Sequence, residues 1–331
     1  MYGILLNIYM QSIPILYYGM KWIGLLCMVM LVFSVIPASA FTNDFPSSEQ
    51  LESAYSFLIS LYNDDLGLVS ESYEAPYNTT YWIANDNLLV AYALAPYSPY
   101  HSNIINQTVF EYMLRSGVGF PLKVEVLFGY DIPDTIGACN YYVIEETENY
   151  TIKMDKADGN PLVVEDYADL CFYRALGLFF AGDLESAIRY FEVGYNMFDG
   201  IGFYDKATQD DGLYANYKLA LCLYTAKVLG LDWDKYPALY VMERRLWEAQ
   251  DNQTGGIITH RDLNGSLTGL ANAETTAYAL LVYNDSLIRS LNPPANTNKD
   301  YWNLIKYVAV AVVSALFVWW VIRKFFSYFE K

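Results

Sequence analysis

The sequence predicts a mostly α protein, built from helical hairpins with short β connections and carried on one C-terminal transmembrane helix. Three observations predict it. Similar segments recur along the chain, and each ends in an Ala/Leu/Tyr-rich run with apolar residues at three-and-four spacing. Leu304 to Ile322 is almost wholly apolar, and about 20 such residues span a hydrocarbon core. A basic, apolar and small-residue succession near the N-terminus completes a single-pass layout.

At the N-terminus, the run MKWIGLLCMVMLVFSVIPASA begins at Met20. Lys21 supplies the basic start, Trp22 to Ile36 the apolar stretch, and Ala38-Ser39-Ala40 the small-residue cleavage pattern of a secretory signal. Residues 1–40 therefore read as a signal region. A preceding apolar run, interrupted by Gln11, Tyr17 and Tyr18, leaves two readings open. Translation starts at Met20, or residues 1–20 form the first arm of a two-pass hairpin.

Residues 41–292 read as one extracellular domain, large enough to bury a sizeable single core. Its repeats are DDLGLVSESYEAPYNTTYWIANDNLLVAYAL from Asp64, DGIGFYDKATQDDGLYANYKLALCLY from Asp199 and DNQTGGIITHRDLNGSLTGLANAETTAYALLVY from Asp251. A fainter copy runs from Tyr141 into VVEDYADLCFYRALGLFF. Each opens on an acidic turn with Gly, passes a short β-type run and a polar loop, then starts a helix. One such unit cannot bury its own apolar face, so stacking is expected. Second helices lie between the copies, among them DLESAIRYFEVGYNMF and YPALYVMERRLWEAQ.

Residues 293–303 read as a linker, 304–322 as the transmembrane helix and 323–331 as the tail. Tyr301, Trp302, Trp319 and Trp320 sit where interfacial aromatics belong, and Arg323 and Lys324 predict a cytoplasmic C-terminus. The expected location is the cell membrane, single-pass, with the domain outside.

Between residues 41 and 300 there are 36 acidic and 15 basic residues, a balance of about −21. Such a field disfavours nucleic acid as a partner, and an acidic surface also serves solubility alone. Six N-x-S/T acceptors, Asn78, Asn106, Asn149, Asn252, Asn264 and Asn284, point to glycosylation; a chain rich in Asn and Thr is the plainer cause. Cys139, Cys171 and Cys222 make an odd set, for which one disulfide plus a core thiol is the expectation, Cys139–Cys171 being the better pair. Only His101 and His260 are present, and GxGxxG and P-loop patterns do not occur. No metal and no cofactor are expected.

The pattern of Trp247, Gln250, Gly255, Gly256 and Ile257, followed by ANAETTAYAL, resembles the hairpin repeat of the α/α toroids. These include terpenoid cyclases, prenyltransferases, complement thioester domains and six-hairpin glycosidases. The resemblance implies an α/α toroid of five hairpins, or six trimmed ones. The Cys-Gly-Glu-Gln of the thioester domains and the Asp-x-Asp-Asp of the squalene-type cyclases are absent, and neither histidine suits a prenyltransferase zinc set. AGDLESAIRYFEVGY also resembles half of a tetratricopeptide repeat, but one copy is not an array.

In a toroid the loops before the inner helices converge on one mouth. Asp86, Asp169, Asp211 and Glu274 fall there, with Tyr81, Trp82, Tyr167, Tyr204, Tyr214 and Tyr278. Paired carboxylates among aromatic faces suit glycoside chemistry. Asp211 with Glu274 is the preferred catalytic pair and Asp86 the reserve. Trp82, Tyr81, Asp169, Tyr167, Tyr214, Tyr278 and His260 are candidate ligand contacts. Helix capping explains the same acids as well. A carbohydrate-binding or glycoside-cleaving surface protein is thus one expectation; a non-catalytic scaffold that docks another surface protein is the other.

Overall fold

A computed structural model describes residues 45–116, 123–130, 132 and 135–292. The predicted signal region 1–40, the linker 293–303, the transmembrane helix 304–322 and the tail 323–331 lie outside the described residues. Among the described residues no helix is long and apolar enough to cross a membrane. The elements below all belong to the compact unit that begins at Pro46.

The domain is mostly α with short strands in the connections. Helix α1 spans Ser48–Ser60 and opens on a capping box between Ser47 and Gln50. Two residue pairs, β1 (Tyr62–Asn63) and β2 (Leu68–Val69), form a small antiparallel ladder. Strand β3 (Thr80–Trp82) leads into a π-turn, Ile83–Leu88, that continues as α2 (Leu89–Leu94). Helix α3 (Pro99–Ser116) and a 3-10 helix at Lys123–Phe128 follow. Strands β4 (Asn140–Glu146) and β5 (Thr151–Lys156) make a hairpin whose β5 also pairs in parallel with β3.

The helical half continues with α4 (Ala168–Phe180), α5 (Leu184–Tyr195) and the short α6 (Lys206–Asp211). Strand β6 (Leu213–Ala215) precedes α7 (Tyr217–Val228) and α8 (Ala238–Trp247). Strands β7 (Ile258–Asp262) and β8 (Leu267–Ala271) join β6 in an antiparallel sheet of order β6-β7-β8. Helices α9 (Ala273–Leu281) and α10 (Asp285–Leu291) end the described chain.

Three helical hairpins are thus seen among the described residues, α2/α3, α4/α5 and α7/α8, and α9, buried like their first members, is followed by the short α10. The first member of each is buried nearly all round, because its apolar residues do not keep to one stripe. In α7, Leu219 through Ala226 is buried without a break. These buried helices are consecutive neighbours: α9 packs on α2 and on α7, α7 on α4, and α4 on the 3-10 helix. Tyr92 of α2 stacks on Phe128 of that 3-10 helix at 3.6 Å between centroids, 9° from parallel.

The Trp247–Ile257 pattern has a structural job. Gln250 Nε2 donates to the backbone carbonyls of Gln50 and Gly255, both at 2.8 Å. Gly255 has φ +82°, and a Cβ there would stand 2.6 Å from the Ser53 carbonyl oxygen. Only glycine fits both demands. The motif therefore fastens α1 to the loop after α8, while Trp247 is buried with its indole N–H on the Tyr283 hydroxyl at 3.0 Å.

Two expectations need correction. Cys139 and Cys171 are separate thiols. Cys171 donates to the Val164 carbonyl at 3.3 Å and sits where Gly194 lets α5 close on α4, whereas the Cys139 thiol bonds Asp155. Asn284 is no glycan acceptor in the folded state: it is 3% exposed, its Nδ2 donates to the Tyr92 carbonyl at 3.0 Å, and its Oδ1 caps α10. The other five acceptor asparagines are exposed.

Candidate active site

The loops before the buried helices deliver acids to one place. Glu274 lies in the first turn of α9, but it is not the cap, because the Asn272 side chain takes that role by accepting from the Thr275 N–H at 2.9 Å. Asp86 sits in the π-turn, which has no side-chain cap. That turn is fixed by Asn87, whose Oδ1 accepts from Val69 N at 2.7 Å while its Nδ2 donates to the carbonyls of Val69 and Trp82. Asp169 lies in the first turn of α4, which also lacks a side-chain cap. Capping therefore does not account for these three acids.

Two acids that the repeats did not single out complete the cluster. Glu71 stands in the loop after β2, held by its own backbone: its N–H donates to Thr80 O and its carbonyl accepts from Ala273 N, each at 2.9 Å. Its carboxylate accepts from the Trp82 indole at 2.9 Å. Asp155, on β5, accepts from Asn85 Nδ2 at 2.8 Å. Asp86 and Asp155 are 3% and 4% exposed, and neither Asp86 Oδ2 nor Asp155 Oδ1 has a hydrogen-bond partner. Buried polar atoms are rarely left so.

Glu71 and Glu274 line one cleft of about 420 Å³ together with Tyr77, Tyr217, His260 and Asn272. Beside it, Lys123 approaches Asp169 at 3.6 Å and lies over the Tyr173 ring. The Tyr217 hydroxyl donates to Asp169 at 3.0 Å, and the Tyr173 and Tyr278 hydroxyls bond each other. Among the described residues no three His, Cys, Asp or Glu side chains converge as a metal-binding set.

Electrostatics separates the acids. Burial, then the charges of Asp155, Glu71 and Asp169, push Glu274 up to about 7 against the pull of Lys123. Burial and the charges of Glu274, Glu71 and Asp155 hold Asp86 well above the usual carboxylate range. Burial raises Glu71 as well, but the Trp82 N–H and Lys153 draw it back; Lys153 pairs with Trp82 in the β3–β5 register and lies over its ring. Asp169 is also buried, yet Lys123, Lys218 and Tyr217 bring it below its ordinary value. Burial and Lys218 lower His260, so it enters the cleft neutral near pH 7.

Of the residues singled out from sequence, the fold brings Asp86, Asp169, Glu274 and Tyr278 together. Trp82 joins them through Glu71, and His260 lines the cleft. Asp211 does not join them: it ends α6 on an exposed side, where its charge is felt by His260. Tyr81 is buried with its hydroxyl on Asn63, Tyr214 is buried with its hydroxyl on Asp199, and Tyr167 precedes α4 under the Lys206 ammonium. Glu71, Asp155, Lys123, Tyr173 and Tyr217 were missed. Glu71 carried a signal, since it stands in the polar loop of the first repeat.

No family model and no curated protein matches this chain.

The raised acids make stability depend on pH. A carboxyl whose folded titration lies above its unfolded one stabilises fully below the unfolded value and loses that contribution as pH rises through the folded one. For Glu274 the window runs from the ordinary 4.5 to about 7, and Asp86 acts with the same sign. Asp169, lowered, acts oppositely and only below its ordinary 3.8. The thermal midpoint is therefore expected to fall between pH 4.5 and pH 7, and Glu274→Gln to flatten the fall. A midpoint that rises across that window in the unmutated protein would contradict the burial of these acids.

Proposed function

We propose that this protein is a membrane-anchored, glycosylated cell-surface α/α toroid whose mouth binds carbohydrate and hydrolyses a glycosidic bond. One observation carries the reading: Glu71 and Glu274 line one cleft and are both raised by burial, but Glu274 reaches about 7 while the Trp82 N–H and Lys153 draw Glu71 back. Carboxyls whose surroundings separate their titrations can divide the acid and base roles. Glu274, near 7, holds a proton at neutral pH and delivers it to the leaving glycosidic oxygen. Glu71, whose rise on burial is opposed by the Trp82 N–H and Lys153, takes a proton from the attacking water or attacks the anomeric carbon itself. In either course one water is consumed, its hydroxyl ending on the anomeric carbon and its proton on a carboxylate.

Asp86 packs near Glu274, whose charge, after burial, holds Asp86 well above the usual carboxylate range. The rings of Tyr77 and Tyr217 provide faces for a sugar. The consecutive packing of α2, α9, α7, α4 and the 3-10 helix, with Tyr92 on Phe128, supports a toroidal course. The apolar run at 304–322 and the basic residues after it support the anchor; the five exposed acceptor asparagines support a glycan coat.

The test is release of reducing ends from a panel of neutral, amino and acidic oligosaccharides by the full-length protein in detergent. Cleavage of at least one class, lost in both Glu71→Gln and Glu274→Gln, is expected. Failure to cleave any of the panel, or cleavage that both variants retain, sinks the reading.

A further inference from the structure

We infer that the pole of the domain opposite the cleft is the surface that meets the lipid bilayer, and that the cleft opens away from it. This rests on the membrane anchor proposed above and is independent of the glycoside chemistry. Three buried elements run in the same direction, from the cleft to one far pole. Helix α9 carries Glu274 on the cleft wall in its first turn and ends at Leu281. Helix α7 starts with Tyr217, also on that wall, and ends at Val228. The 3-10 helix starts with Lys123, beside Asp169, and ends at Phe128.

Their far ends lie together. Lys227 Nζ, in the last turn of α7, donates to the Val282 carbonyl just after α9 at 2.9 Å. The Tyr224 hydroxyl of α7 donates to the Leu127 carbonyl, near the end of the 3-10 helix, at 2.5 Å. The described chain ends at this same pole. A Cβ on Gly230, two residues past α7, would stand 3.2 Å from the Asn292 side chain, and one on Gly129, just past the 3-10 helix, 3.0 Å from Leu291. Gly230 lies 13 residues beyond Tyr217, which is about 20 Å along a helix axis. Once a secretory signal is cleaved, the anchor holds the domain through Asn292.

Only 11 residues, 293–303, stand between Asn292 and the predicted transmembrane run, a reach of at most about 40 Å when fully extended. A compact domain of about 250 residues has a radius of about 23 Å, so the path over its surface from one pole to the other is about 70 Å. The tether is too short to turn the cleft onto the bilayer. It holds the Asn292 pole toward the lipid, where the half-exposed Tyr130, next to Gly129, is placed for the headgroup layer. Sugars on short lipid headgroups of the same membrane are out of reach, and the substrate is a glycan that stands clear of it.

The test places a fluorescent amino acid at Tyr130, or at Thr268, an exposed position beside the cleft residue Gly269, in the full-length protein. Each protein is reconstituted into phosphatidylcholine vesicles whose headgroups carry an energy acceptor, and thermal melts confirm that both fold. Transfer from position 130 is expected to exceed transfer from position 268 by at least about twofold, given a height difference of about 20 Å. An oligosaccharide that the protein cleaves when free is expected to survive when carried on a lipid of the protein's own vesicle.

Equal transfer from the two positions, greater transfer from position 268, or cleavage of the lipid-borne oligosaccharide within the same vesicle overturns the inference. Flotation with the vesicles separates it from the anchor. Protein that does not float loses the anchor and this inference together; protein that floats with the wrong order of transfer keeps the anchor and loses the orientation. Cleavage of no free oligosaccharide fells the glycosidase reading, and the order of transfer then decides the orientation alone.

Discussion

Glu274→Gln is expected to lower kcat on a cleaved oligosaccharide by about 10²- to 10⁴-fold, the usual worth of a positioned acid. The amide keeps the size of the carboxyl but has no proton to give the leaving oxygen. The loss is expected in kcat with little change in KM, because the proton is needed in the transition state rather than in the ground state. The variant is expected to keep the fold, since α9 is capped by Asn272 rather than by Glu274. Above pH 7 it is expected to melt at a higher temperature, since a charge crowded by Asp155, Glu71 and Asp169 has gone.

Asp155→Asn supplies the companion experiment. After burial, the Asp155 charge is the first cause that holds Glu274 up, so neutralising it removes one charge that keeps the acid protonated. The alkaline limb of the pH–rate profile is expected to move to lower pH by about 1 unit, the scale on which a nearby like charge acts. Full activity in Glu274→Gln, or an unmoved alkaline limb in Asp155→Asn, would remove the acid role from this constellation.

Lys218→Met is expected to destabilise the protein by about 3–5 kcal/mol, the cost of leaving a buried charge without its partner. Lys218 and Asp205 are 2.6 Å apart, with side chains 5% and 0% exposed. Asp205 is also a junction: it accepts from the Thr208 N–H at the start of α6 and from the Ala168 N–H at the start of α4. Losing the ammonium therefore disturbs the approach to Asp169 as well as α6. For a domain of this size the midpoint is expected to drop by on the order of 10 °C. Adding Asp205→Asn should recover part of the loss, since the unpaired charge is then gone. Equal melting of Lys218→Met and the unmutated protein would show that the pair does not carry this weight.

Much of the helical content was legible because buried helices declare themselves as unbroken Ala/Leu/Tyr runs, as in YKLALCLYTAKV. The repeat also located Asp86, Asp169 and Glu274, since each stands just ahead of or within the first turn of such a run. It misled at Asp211. The segment KATQDD looks like a polar loop before a helix, yet it is a helix of its own, and Asp211 ends it beside Gly212 at φ +71°. An acid at a helix C-terminus and one at an N-terminus look alike in a polar stretch.

Asn284 misled for a similar reason: Asn-Asp-Ser serves equally as a glycan acceptor and as a helix cap, and burial decides for the cap. Glu71, Asp155 and Lys123 were hidden because their meeting is tertiary. Asp155 arrives on a strand and Lys123 on a 3-10 helix, so neither shares the spacing of the repeat.

The Gln250 side chain reaches the backbone of Gln50 across 200 positions of sequence. A domain fastened where its earliest helix meets a late loop does not divide into separately stable halves. Removing α1 would strip the cover from Phe57's neighbours and the mate from Gln250 in one stroke, so shortened versions of this chain that begin after residue 60 would lose far more than one helix.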